Sequence, residues 1–205
     1  MNLFLQGGEV ATENDAPQRA DVWILDGVIK NVGVIDVPEG ARVIDCAGKI
    51  VMPGMFDAHV HFREPGQEKK ETILDGTEAA INGGITGVVM MPNTSPSVDS
   101  PTVVKRVLEQ GEKCRIPVFT SACITVDRAG HEMAPIAGLK QAGILMLTDD
   151  GDAVPNAALL KRAMEYGKEF DMFFASHCED PQLCGPRALN EGPVSYRLGI
   201  QGTPA

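Results

Sequence analysis

After Pro53 the chain repeats one pattern, in which a short apolar segment is followed by a polar loop and then by an amphipathic segment. The apolar segments cover residues 55–62, 85–91, 116–122, 144–148 and 172–177. Amphipathic helical patterns lie between them, as at 101–113, where Pro101 occupies the first turn, and at 156–170. Strands that alternate with helices predict a parallel α/β sheet. We expect a (β/α)8 barrel, with a doubly wound sheet as the alternative.

The residues before this repeat have a different rhythm. Short β-rich pieces alternate with Gly, Asn, Asp and Pro every few positions, and the sequence LDGVI at 25–29 contains the Asp-Gly pair of a tight hairpin. We therefore predict that residues 1–53 form a small all-β subdomain and that residues 54–205 form the barrel part.

The length of the second part does not suffice for a whole barrel. A (β/α)8 barrel takes roughly 250 residues, whereas about 150 residues follow Pro53, enough for about five βα units. We expect the 205 residues to be the N-terminal part of a longer, apparently truncated, barrel protein.

Charge and cysteine content limit the classes of partner. The formal net charge is −10 and no Lys/Arg cluster interrupts it, so nucleic acid and anionic membrane surfaces are poor partners. A small anionic substrate remains compatible, because a local Arg in a cleft outweighs distant, screened charge. Five cysteines without CxxC spacing predict reduced thiols in a cytoplasmic protein, and no apolar run approaches 18 residues.

Two of the four histidines stand two positions apart at the end of the first apolar segment. In a strand, Asp57, His59 and His61 share one face, while the alternate apolar residues from Phe56 to Phe62 would pack on the helices. Two imidazoles on one face can bind one metal ion, for which zinc is the natural candidate, and Asp57 could fix the tautomer of one ring. The HxH pattern alone also fits one core histidine and one surface histidine.

Two later strand ends carry further metal-competent side chains. TDDG follows the fourth strand with Asp149 and Asp150, and SHCED follows the fifth with His177. Because active sites of barrels lie at the C-terminal ends of the strands, the first, fourth and fifth strands would deliver these groups to one rim. Asp-Asp-Gly is also an ordinary turn sequence, so the pattern leaves the choice between the two aspartates open.

Four motifs in order resemble those of bacterial type I dihydroorotases, members of the amidohydrolase superfamily. They are DAHVHFREPG at 57–66, MPNT at 91–94, TDDG at 148–151 and SHCED at 176–180. The resemblance implies a metal-dependent (β/α)8 barrel with a small β-sandwich domain built from both chain ends. The activity it implies is the reversible hydrolysis of L-dihydroorotate to N-carbamoyl-L-aspartate in pyrimidine biosynthesis.

The resemblance also implies a set of metal ligands. His59, His61 and His177 match histidine ligands of Zn²⁺, of which one or two ions are expected. Many relatives have a carboxylated lysine at the end of the fourth strand. Here the type I pattern has an aspartate, which we assign to Asp150, with Asp149 one residue away as the alternative.

The resemblance assigns substrate binding to Arg63 and Asn93, which match residues that grip the substrate carboxylate. A guanidinium can meet a carboxylate bidentately, and an amide can donate to it. A further histidine ligand and the catalytic aspartate, the general acid/base, are expected beyond residue 205, so we expect residues 1–205 alone to be inactive. Implied partners are a second copy, as a homodimer, and aspartate transcarbamoylase.

Two alternative functions fit the same motifs less well. A hydantoinase or allantoinase would act on substrates without the carboxylate that Arg63 and Asn93 are expected to bind. An inactive dihydroorotase-like scaffold for aspartate transcarbamoylase would be expected to have lost metal ligands, whereas each ligand position within this sequence is filled.

Overall fold

The computed structural model describes residues 1–12, 16–184 and 189–204, and the chain divides into two units, Met1–Gly54 and Met55–Ala205. The first unit contains one mixed sheet in the order β3-β2-β1-β4, with β5 also paired to β1. β1, β2 and β3 are antiparallel neighbours, and β4 and β5 run parallel to β1. The five strands are β1 Asn2–Val10, β2 Gln18–Leu25, β3 Val28–Gly33, β4 Arg42–Asp45 and β5 Ile50–Val51. A sandwich completed by a second sheet stays a prediction.

The turn between β2 and β3 is the hairpin that the Asp-Gly pair predicts. Leu25 pairs with Val28 across a two-residue loop. Asp26 and Gly27 both have positive φ, 52° and 78°, as a type I′ turn requires at its two central positions. Glycine and aspartate tolerate this backbone region better than most residues, so the local sequence specifies the turn.

The second unit contains a parallel sheet whose order, β10-β9-β8-β7-β6, follows the chain. In a doubly wound sheet the order of the strands reverses at a switch point. The order found here has no such reversal, so it excludes that alternative and confirms the first five strands of a barrel. The strands are β6 Met55–Val60, β7 Ile85–Met90, β8 Val118–Ala122, β9 Met146–Leu147 and β10 Phe173–Phe174. The helices are α1 Ile73–Asn82, α2 Pro101–Gly111, α3 Ile136–Ala142, α4 Ala157–Lys168 and α5 Pro193–Leu198.

Side-chain caps and a proline set where the helices begin. Thr72 Oγ1 accepts a hydrogen bond from the backbone N of Asp75 at 3.1 Å at the start of α1. Asn156 Oδ1 accepts from the backbone N of Ala158 and of Leu159 in the first turn of α4, each at 3.1 Å. Pro101 opens α2, where its missing N–H would have no helical partner. These caps satisfy donors that the first turn of a helix leaves unpaired.

The core lies between the helices and one face of the parallel sheet. Its fully buried members include Ile73, Val88, Met90, Val104, Val107, Ile136, Leu139 and Leu147. They come from the apolar stripes of α1 to α3 and from alternate positions of β7 and β9, which is the packing that the sequence pattern predicts. None of the helices in the described ranges has the length and apolarity needed to cross a membrane.

The first strand of the barrel departs from simple alternation. The register of β6 against β7 shifts between Asp57 and Val60, as at a β-bulge, so the two ends of the strand differ in parity. Val60 packs against the helix-side core and Phe62 is buried in it. Phe56 is half-exposed instead, with its ring centroid 5.8 Å from that of Phe119. The expectation that Phe56 packs on the helices is therefore wrong.

We expect Gly76→Ala to destabilise the second unit. A Cβ at Gly76 in α1 would lie 2.2 Å from the buried ring of Phe62, the residue that follows His61. Overpacking of this kind costs about 1–3 kcal/mol, which outweighs the gain of about 1 kcal/mol in helix propensity. Thermal unfolding should show a lower Tm. Gly138→Ala in α3 is the matched control, because its nearest atom lies at 3.3 Å, and an equal loss in both variants would contradict the argument.

Candidate metal site

Three side chains converge at the C-terminal rim of the parallel sheet. His59 lies in β6, His61 directly follows that strand, and Asp150 follows β9. His59 Nε2 is 3.1 Å from His61 Nε2 and 3.2 Å from Asp150 Oδ1, and His61 Nε2 is 3.5 Å from Asp150 Oδ2. Among the described residues, these three form the group whose ligand atoms all lie within 4.8 Å of one another.

The spacing of these atoms fits a tetrahedral cation. Ligands at about 2.0–2.1 Å from a tetrahedral zinc ion lie roughly 3.3 Å from each other. The separations of 3.1 Å between the two Nε2 atoms and of 3.2 Å from His59 Nε2 to Asp150 Oδ1 lie near that value, and His61 Nε2 is 3.5 Å from the other carboxylate oxygen, Oδ2. Two neutral imidazole nitrogens and a carboxylate oxygen also match the donors that zinc prefers. The residues present therefore fit a divalent metal ion.

Asn93 contacts two members of the ligand triangle, the group formed by His59, His61 and Asp150. It follows β7, and its Oδ1 lies 3.1 Å from His61 Nδ1 while its Nδ2 donates to Asp150 Oδ2 at 3.5 Å. A proton on Nδ1 of His61, donated to Asn93, leaves the lone pair of Nε2 directed at the other ligands. The role expected for Asp57, holding an imidazole, falls to Asn93, because Asp57 Oδ1 instead accepts the backbone N of His59 at 3.0 Å.

The structure separates the two consecutive aspartates. Asp149 turns away from the histidines towards the loop after β8, where its Oδ1 accepts from the backbone N of Ile124 at 2.8 Å and of Thr125 at 3.1 Å. Its Oδ2 accepts from Thr125 Oγ1. Burial raises the pKa of Asp149, while these hydrogen bonds and the nearby Arg128 act in the opposite direction. Asp150 is the aspartate that the geometry brings to the histidines.

Sequence reasoning missed Thr125, which precedes a short 3-10 turn after β8, and Arg128, which ends that turn. Arg128 Nη1 donates to the backbone O of Asp150 at 3.0 Å, and its Nη2 lies 3.2 Å from Asp152 Oδ2. Asp127 and Arg128 have φ of 53° and 58°, which turns the chain sharply here. Threonine and arginine are not usual metal ligands, so only their place after the end of a strand could have drawn attention to these two residues.

The structure does not bring His177 into the triangle. It follows β10, which lies at the opposite end of the strand order from β6. Its Nδ1 is 3.7 Å from Glu179 Oε2, beyond hydrogen-bond distance. A side chain at one edge of a five-stranded sheet has to reach across the rim to meet ligands from the other edge. The assignment of His177 as a ligand stays a prediction.

Arg63 stands two residues beyond His61 and is partly buried. The acidic side chains next to it in sequence bond elsewhere: Glu64 Oε2 accepts the N of Ile73 at 3.0 Å, and Glu68 Oε1 accepts the N of Gly66 at 2.8 Å. The bond from Gly66 lowers the pKa of Glu68. Within the described ranges no ion pair or hydrogen bond engages the guanidinium of Arg63, which leaves its donors for an external anion.

Comparison with known proteins identifies the family. The family model described as Dihydro-orotase-like matches residues 48–205. The chain belongs to this dihydroorotase-like family. A dihydroorotase from Pelotomaculum thermopropionicum is 42% identical over the whole chain, and one from Desulfotalea psychrophila is 43% identical. The chain covers 48% and 49% of these proteins, so it spans about half the length of the curated relatives it matches.

Solved structures bear out the fold of this dihydroorotase-like chain. The L-hydantoinase (dihydropyrimidinase) from Arthrobacter aurescens superposes with a TM-score of 0.77 at 19% sequence identity, covering 89% of this chain and 42% of the hydantoinase. At this level of identity the superposition supports the fold and says nothing of the substrate.

The cysteines near the site should differ widely in reactivity. Cys123 is fully buried after β8, and burial together with the carboxylate of Asp149 raises the pKa of its thiol. Cys178, next to His177, is exposed. Because the thiolate is the nucleophile, we expect a maleimide to modify Cys178 well before Cys123 in the folded protein, as followed by peptide mass spectrometry. Cys178→Ser should remove the fast phase, and early labelling of Cys123 would contradict this.

Proposed function

We propose that the full-length protein is a zinc-dependent dihydroorotase, which reversibly hydrolyses L-dihydroorotate to N-carbamoyl-L-aspartate in pyrimidine biosynthesis. The observation that carries the proposal is the group of His59, His61 and Asp150, whose ligand atoms lie within 4.8 Å of one another, in a chain of this family. One or two Zn²⁺ ions are compatible with these donors. We keep His177 as a proposed further ligand, because it follows a strand at the same rim.

The residues of this chain would bind the metal ion and orient its ligands. His59 and His61 offer neutral nitrogens, Asp150 offers negative charge, and Asn93 fixes the tautomer of His61 through the contact at Nδ1. When bound, zinc would supply Lewis-acid chemistry: it would activate water and polarise the carbonyl group of the amide bond that is hydrolysed. We expect the general acid/base of the reaction to be an aspartate beyond residue 205.

Substrate selection is assigned to Arg63 and Asn93. The free donors of the partly buried Arg63 suit the carboxylate that dihydroorotate carries on its ring. The amide of Asn93 already contacts His61 and Asp150, which puts a substrate held by Asn93 next to the metal ligands. Holding the carboxylate at a fixed distance from the ligands orients the ring amide for attack.

A substrate panel tests the proposal against the hydantoinase alternative. The full-length, zinc-loaded protein is assayed with dihydroorotate, hydantoin and allantoin. We expect kcat/KM for dihydroorotate to be higher by about a hundredfold or more, because substrates without a carboxylate leave the donors of Arg63 unpaired. Faster cleavage of hydantoin or allantoin would reject dihydroorotase activity in favour of the alternative.

Metal analysis tests the second alternative, an inactive scaffold for aspartate transcarbamoylase. We expect the full-length protein to purify with stoichiometric zinc, whereas a scaffold with an idle site should lack it. Homodimerisation and docking to aspartate transcarbamoylase are proposed from the resemblance, and sedimentation of the protein alone and in a mixture would measure both. A cytoplasmic location is proposed as well, in keeping with five cysteines that form no disulfide.

A further inference from the structure

We propose that Asp149 is a positioning residue for the metal site, because it ties the loop after β9 to the loop after β8 and so fixes the direction in which Asp150 presents its carboxylate. The inference rests on the proposed metal-dependent function. It concerns a side chain that contacts neither histidine and would act only through its neighbour.

The carboxylate of Asp149 is enclosed by donors from one segment. The side chain is almost completely buried, and its two oxygens accept three hydrogen bonds, from the backbone N of Ile124, the backbone N of Thr125 and Thr125 Oγ1. Burying a carboxylate is costly unless its oxygens are paired, and here both are. Because the buried carboxylate is satisfied only when all these donors are in place, the hydrogen bonds specify the relative position of the two loops closely.

Further hydrogen bonds order both loops around the two aspartates. Thr125 Oγ1 also accepts from the backbone N of Gly130 at 3.0 Å, which closes the loop after β8 on itself. The backbone O of Asp149 accepts from the N of Asp152 at 2.9 Å, in the turn that follows. Arg128, from the same loop after β8, donates to the backbone O of Asp150 at 3.0 Å. The loop after β8 thus holds the carbonyl of Asp150 directly, through Arg128, and the residue before it through the side chain of Asp149, while the N of Asp150 donates to Thr148 Oγ1 at 3.1 Å.

Backbone pairing in the sheet contributes little to the position of the chain after β9. β9 spans only Met146–Leu147, and beyond it the N of Thr148 still donates to the backbone O of Ala122 at 2.9 Å. After Thr148, hydrogen bonds from the side chains of Asp149 and Arg128 hold this segment against the loop after β8. A metal site needs its ligands within about 0.5 Å of the productive geometry, so a loosened loop would lower affinity even with every ligand present. Outer partners of metal ligands typically contribute about 10–100-fold in affinity.

The experiment compares Asp149→Asn and Thr125→Val with their controls in the full-length protein. Asp149→Asn keeps the size and one acceptor oxygen but turns the other acceptor into a donor, opposite Thr125 Oγ1. Thr125→Ser retains the hydroxyl that Thr125→Val removes. Asp99→Asn is a matched carboxylate change, because Asp99 Oδ2 accepts the N of Asp127 at 2.9 Å in the same loop. Each variant is measured by zinc competition against a chelator, by the visible spectrum of bound Co²⁺ and by the Tm of the metal-free protein.

We expect Asp149→Asn and Thr125→Val to weaken zinc binding about 10–100-fold and to alter the Co²⁺ spectrum. Thr125→Ser and Asp99→Asn should keep affinity and spectrum, even where their Tm falls. Parent affinity and spectrum in both Asp149→Asn and Thr125→Val would overturn the inference. Asp150→Ala separates the two proposals: if it also binds zinc like the parent, the metal site itself is wrong, whereas if it alone loses zinc, only the role of Asp149 is wrong. Thr125→Val decides the matter if Asp149→Asn does not fold.

Discussion

Asp150→Ala is expected to reduce dihydroorotate turnover by the full-length protein about a thousandfold, equivalent to about 4 kcal/mol of transition-state stabilisation. Its carboxylate is 3.2 Å from His59 Nε2 and 3.5 Å from His61 Nε2, and it is the negative member of the proposed ligand set. Removing it leaves only imidazoles in the proposed ligand set, and without the carboxylate charge they hold a divalent cation less tightly. Zinc content after dialysis and steady-state kinetics measure the two consequences.

The control for this variant is Glu165→Ala, which removes an exposed carboxylate paired with Lys161 on α4. Exposed pairs of this kind contribute little, so zinc content and turnover should stay at the parent values. If Asp150→Ala retained stoichiometric zinc and parent turnover, the ligand triangle would have no part in catalysis. Addition of excess zinc should restore part of the lost activity if the defect is mainly one of binding.

Arg63→Met is expected to raise KM for dihydroorotate about a hundredfold while zinc content stays unchanged. The partly buried guanidinium has donors available for an external anion, and hydrogen bonds to charged groups contribute about 1.5–3 kcal/mol, or about 10–150-fold in affinity. Methionine preserves much of the length and apolar contact of the side chain but removes the charge. Initial-rate kinetics over a wide range of dihydroorotate concentrations measure the effect.

Arg63→Lys tests whether geometry matters beyond charge. Lysine keeps the positive charge but has no planar fork, so its KM should lie between those of the parent and Arg63→Met. Dihydrouracil, the same ring without a carboxylate, serves as the control substrate, and its rate should hardly respond to either substitution. An unchanged KM for dihydroorotate in Arg63→Met would move substrate recognition to other residues and weaken the case against a hydantoinase.

Much of the fold could be predicted from local sequence patterns. The alternation of apolar and amphipathic segments predicts the five parallel strands and the helices between them, and the Asp-Gly pair predicts the hairpin at Asp26 and Gly27. Strand ends were less predictable: β9 and β10 each have two residues, because the chain leaves the ladder early to form rim loops. The parity of Phe56 was also missed, since a register shift depends on the neighbouring strand rather than on the sequence of β6.

The amino-acid sequence by itself determined that His59 and His61 share one face and that an aspartate pair follows the fourth strand, because side-chain direction alternates with a period of two. Only the tertiary structure decided between the aspartates. Donors from Ile124 and Thr125 capture Asp149, and this leaves Asp150 to meet the histidines. The contacts of Asn93 with His61 and Asp150 likewise join residues 32 and 57 positions apart. Local spacing fixes which face a side chain takes, whereas long-range hydrogen bonds fix which neighbour it meets.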